Sequence, residues 1–100
     1  MLPKRLAGLE EIALPGCPRV LVARSASSRL VGLAGLRDVP AELGLLIPRC
    51  HSIHTFGMRF ALDVTFLDAE WSVLRRVEAV PPGRLLWQRG AAAVLERRAA

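Results

Sequence analysis

The chain has 100 residues, 52% of them hydrophobic, with 14 basic and 9 acidic side chains and a formal net charge of +5. That length makes a single domain spanning 1–100 and leaves no room for a second, and the apolar share supplies a core without disulfide or metal staples. No stretch approaches the ~20 apolar residues a membrane-spanning helix needs, and two cysteines, Cys17 and Cys50, are too few for a disulfide framework.

The opening segment begins basic, but Glu10 and Glu11 interrupt the apolar run that a signal peptide requires, so a soluble, cytoplasmic protein is expected. Pro15, Gly16 and Pro18 mark a turn. RVLVA at 19–23 is short, apolar and β-branched, and reads as a strand. SASSRLVGLAGL comes next. Ser25 or Ser27 can cap a helix, and Leu30, Leu33 and Ala34 share a face at helical spacing, so a short α-helix is expected near 26–35.

GLLIP at 44–48 reads as a buried strand bounded by breakers. MRFALDVTFLD carries the clearest alternation: Phe60, Leu62, Val64 and Phe66 on one face, Arg59, Ala61, Asp63 and Thr65 on the other. The polar link Asp68-Ala69-Glu70 suggests a hairpin into WSVLRRVEAV, which Pro81-Pro82-Gly83 ends because proline cannot donate to a ladder. Alanine in the tail AAAVLER favours helix, but its place after a series of strands favours a last strand. The expected fold is mainly β, a compact sandwich or barrel-like single domain with one short helix.

Both histidines and one cysteine fall within CHSIHTFGMRF, residues 50–60. As a metal set, Cys50, His51 and His54 are too compact for a structural zinc pattern, and in an extended strand His51 and His54 point to opposite faces. As a catalytic set, Cys50 beside His51 faces away from it along a strand, and no G-x-S-x-G elbow is present. A hydrolytic or metal-dependent enzyme using Cys50, His51, His54 and Asp63 is therefore the second reading. The first is a binding face for a small molecule or a protein, built from His54, Thr55, Arg59 and Asp63 with His51, Ser52 and Cys50 at its edge, and with no cofactor.

The basic residues include a single lysine, Lys4, and are densest in the last third: Arg75, Arg76, Arg84, Arg89, Arg97 and Arg98. Glu70, Glu78 and Glu96 are interleaved with them, which reads as a mixed-charge solvated face. Weak nucleic-acid association through these arginines is the third reading. Monomer and homodimer both remain open.

The run CHSIHTFGMRFALDVTFLD resembles the signature of the DUF192 family, of unknown function. VARSASSRLVGLAGL resembles that family's segment ending in R-x-x-G-L, and the later V-P-P and VLE resemble its closing motifs, together covering about 20–96. The central segment is of the Ser-Ile-His-Thr variety. The resemblance implies a mainly β, sandwich-like fold with one helix and no established activity. Where members often carry an Asp-Gly turn, this chain has Asp68-Ala69-Glu70-Trp71, and the closing Glu-Leu is Glu96-Arg97.

Overall fold

The computed structural model describes residues 4, 6–25 and 32–99. Among the described residues eight strands run in chain order: β1 (Glu10–Leu14), β2 (Cys17–Val22), β3 (Leu43–Pro48), β4 (Ser52–His54), β5 (Leu62–Leu67), β6 (Val73–Val80), β7 (Leu85–Trp87) and β8 (Ala93–Arg98). Six form one sheet in the order β1-β2-β3-β8-β5-β6, and β4 pairs with β7 in a separate two-stranded ribbon. Every pairing is antiparallel except β2 with β3. That parallel pair requires a long crossover, which the chain makes through 23–42.

The alternation in β5 decides where the core sits. Leu62, Val64 and Phe66 are fully buried on the sheet's inner face, with Leu43, Leu45, Ile47 and Val94 from the neighbouring strands. Burying each such side chain contributes about 1.5–3 kcal/mol, so this face supplies the main driving force. Leu33 and Val39 of the crossover, Ile53 of the ribbon and Met58 cover it. The outer face buries a second group that includes Cys17, Val20, Leu46, Leu67 and Leu95, against which Ile12 and Leu14 pack. A bulge between Ile12 and Leu14 bends the β1–β2 ladder.

The tail forms a strand despite its alanines, because β8 slots between β3 and β5 and gains a ladder on both edges. Tertiary pairing overrides helix propensity there. Two expectations need correction. The first is the helix near 26–35. Residues 26–31 lie outside the described residues; 32–35 form a turn in which Gly32 (φ 55°) and Gly35 (φ 80°) take left-handed backbone that an α-helix does not contain. Leu33 is buried all the same, so its apolar character reflects a core-facing turn. The second is the barrel. Among the described residues β1 and β6 each pair on one side only, and the sheet is not closed into a barrel.

Gly44, in the interior of β3, leaves no space for a side chain: an added Cβ would meet Cys17 Sγ and Leu95 Cδ1, both at 2.9 Å. Gly44→Ala is expected to lower stability by about 1–3 kcal/mol through overpacking, measured by urea denaturation.

Candidate functional site

The CHSIHT segment becomes β4, three residues long, and the next residue, Thr55, sets its position. Thr55 is fully buried. Its hydroxyl donates to the Pro81 carbonyl (2.7 Å) and accepts from the Arg84 amide (2.8 Å). Its own amide donates to Arg84 O at 2.8 Å, and Gly83 N donates to its carbonyl at 3.1 Å. Backbone and side chain together clamp the end of β4 to the turn between β6 and β7. Thr55 thus offers no free hydroxyl to a ligand. At the far end of the ribbon, Gln88 N donates to His51 O at 2.9 Å.

Within the ribbon, Ile53 stands opposite Leu86 and faces the core, while Ser52 stands opposite Trp87 and His54 opposite Leu85. Opposed residues of an antiparallel pair share a face, so Ser52, His54, Leu85 and Trp87 line the outward side. Phe56 joins them, its ring stacked on His54 with centroids 5.7 Å apart. Trp87 is 64% exposed, Leu85 60% and Phe56 55%. The segments that build this surface, 49–60 and 81–92, contain Arg49, Arg59, Arg84 and Arg89 and no acidic residue. All four arginines are exposed.

The expected binding residues divide between elements. His54 and Ser52 lie on the ribbon face, and His51 beside it is exposed. Arg59 lies in the link before β5. Asp63 belongs to the other sheet, in a bulge of the β5–β6 ladder between Leu62 and Val64, where its carboxylate accepts the Ala79 amide at 2.9 Å. Ala79 has φ 52°, so Asp63 holds a strained bulge in place. Cys50 and Cys17 are both free thiols, and Cys50 Sγ donates to Ser52 O at 2.9 Å. Among the described residues no three His, Cys, Asp or Glu side chains are placed to hold a metal ion.

Glu96 departs from the solvated-face reading altogether. It stands between Leu45 of β3 and Val64 of β5, is 2% exposed, and faces the inner core. An added Cβ at Gly32 would lie 3.0 Å from its Oε1, so the glycine turn sits directly on the carboxyl. No hydrogen bond reaches Oε1 from the described residues. Burial pushes the carboxyl up from its ordinary 4.5 to about 7. Period-two spacing from Val94 places Glu96 inside; the surrounding arginines mask that signal.

The segments that carry the family resemblance therefore meet in space. Gly32 covers Glu96, Gly35 N donates to Gly57 O at 2.9 Å, and Thr55 grips both Pro81 and Arg84.

The profile of the DUF192 family, described as an uncharacterized ACR, matches residues 13–100. Two solved structures are similar. One is a candidate transcription regulator from Sinorhizobium meliloti, 24% identical, with a TM-score of 0.74 over 81% of this chain and 68% of that one. The other is a protein of unknown function from Novosphingobium aromaticivorans, 16% identical, with a TM-score of 0.73 over 100% of this chain and 89% of that one. At these identities they show the fold alone. No curated protein matches the chain.

Because Glu96 binds its proton more tightly folded than unfolded, its neutral form favours folding below pH 4.5, and that contribution is lost as pH rises through about 7. The loss is on the order of 3 kcal/mol. Glu96→Gln is expected to flatten the fall in stability between pH 5 and pH 8, measured by urea denaturation at both values; parallel profiles for the two proteins would contradict this.

Proposed function

The chain belongs to the DUF192 family, and from that premise we propose that it is a protein-binding module whose docking face is the outward side of the β4–β7 ribbon. The observation that carries this reading is the cluster of Trp87, Leu85 and Phe56, each more than half exposed, with Arg75 and Arg89 lining one hollow with Leu85 and Trp87. A monomer gains nothing by leaving these three in water, and clustered exposed apolar residues mark interaction sites. Trp and Arg are also the side chains that dominate interface energetics. Charge complementarity sets the partner's chemistry: a segment carrying apolar side chains together with Asp or Glu.

The enzymatic reading has less support. The Cys50 thiol is turned to a backbone carbonyl, and the Asp63 carboxylate is engaged in the other sheet. Nucleic-acid binding through the C-terminal arginines also has less support, because the six do not form one continuous face. Arg75 pairs with the inward Phe66, whereas Arg76 pairs with Thr65 on the other side. Arg98 is bound to Asp38 at 3.0 Å.

An NMR titration with a synthetic peptide alternating Leu and Glu, run beside an oligothymidylate of similar length, tests this reading. Shift changes are expected at Ser52–His54 and Leu85–Trp87, with Trp87→Ala weakening peptide binding by about 30-fold, a hot-spot loss of roughly 2 kcal/mol. Tighter binding of the oligonucleotide, or shifts confined to other surfaces, would overturn it.

A further inference from the structure

The outer face of the six-stranded sheet carries a second feature that the ribbon does not explain. A concavity of about 470 Å³ opens between the β1–β2 turn and the β5–β6 turn. Leu67, Leu95 and Trp71 supply apolar lining, and Arg76 and Arg97 contribute cationic groups, against Glu70 alone as an acid among the described residues. That volume lies within the range of small-ligand sites, roughly 300–1,000 Å³.

Trp71 is the informative residue. The β5–β6 turn is closed by Asp68, whose Oδ1 accepts the amides of Glu70 and Ser72, both at 2.9 Å, and whose carbonyl accepts the Trp71 amide at 3.1 Å. This turn puts Trp71 at φ 68°, a left-handed conformation suited to glycine and disfavoured for any bulky side chain. The indole is half-buried, 49% exposed, and lines the concavity. A bulky aromatic held at a strained backbone position beside a cavity points to a binding role.

The two arginines approach from different strands, Arg76 on β6 and Arg97 on β8. Arg97 is held in place by its own bonds, Nη1 donating to Gly16 O at 3.3 Å and Nη2 to Ala41 O at 3.4 Å. A guanidinium has five N–H donors, so these two bonds fix its position and leave others for an anion. Leu67, Leu95 and the indole face take an apolar body; Arg76 and Arg97 take its charged end.

From this geometry we infer that the concavity is a binding site for a small anionic amphiphile, an aromatic or aliphatic body bearing one acidic group. It shares no residue with the ribbon face, so either site can fail without the other.

Fluorescence titration with anilinonaphthalene sulfonate and with its uncharged parent, N-phenylnaphthylamine, tests the inference. One sulfonate per chain is expected to bind, at least about tenfold tighter than the uncharged probe. Trp71→Gly, which suits the left-handed backbone, is expected to weaken sulfonate binding by about tenfold or more. Arg76→Gln is expected to narrow the preference for the anion. Equal binding of the two probes, unchanged sulfonate binding in Trp71→Gly, or loss of binding in Trp87→Ala instead, would each overturn it.

Discussion

The placement of the β4–β7 ribbon depends on a single buried hydroxyl. A two-stranded ribbon with three residues per strand cannot hold itself together in water, since an isolated hairpin is marginal even when longer. Thr55 supplies what the ribbon lacks. Its hydroxyl and backbone engage Pro81, Gly83 and Arg84, so the end of β4 and the start of β7 are fixed to the turn that leaves β6. Each such bond contributes about 1 kcal/mol net, but an unmade one in a dry site costs more, which is why the clamp acts as a unit. With Ile53 anchored in the core, the opposite side of the ribbon turns outward, carrying His54, Leu85 and Trp87.

A second constraint lies beneath the crossover. Glu96 occupies a central strand position that its neighbours Leu45 and Val64 fill with hydrocarbon. A carboxyl there is stable chiefly as the neutral acid. Gly32 is the residue that lets the crossover turn approach it, both by its left-handed φ and by having no Cβ. The path of the crossover and the burial of the acid are therefore linked, and the ribbon is linked to both through the bond from Gly35 to Gly57.

Much of this is legible in the sequence, for reasons that differ by element. β5 can be read because strict alternation coincides with one fully buried face, and the Pro81-Pro82-Gly83 stop can be read because proline breaks a ladder wherever it falls. The helix expected near 26–35 rests on apolar spacing that a core-facing turn also produces, with Gly32 and Gly35 the signals against it. β7 is too short for a period to register. Of the expected binding residues, Ser52 and His54 stand on the exposed face, whereas Thr55 and Asp63 are committed to backbone amides and carbonyls. No local pattern distinguishes a polar side chain that faces a ligand from one that satisfies a bulge, because the partners lie 16 and 26 residues away. Glu96 is hidden by its arginine neighbours, and Leu85 and Trp87 acquire meaning only from their pairing with β4.

The clamp is tested most directly by amide hydrogen exchange in Thr55→Val, which keeps the shape and removes the hydroxyl. Loss of protection confined to Ser52–His54 and Arg84–Trp87, with β3, β5 and β8 unchanged, is the result that the clamp requires. Ribbon protection equal to that of the parent protein, or lost together with the central strands, would show that something other than Thr55 holds the ribbon in place.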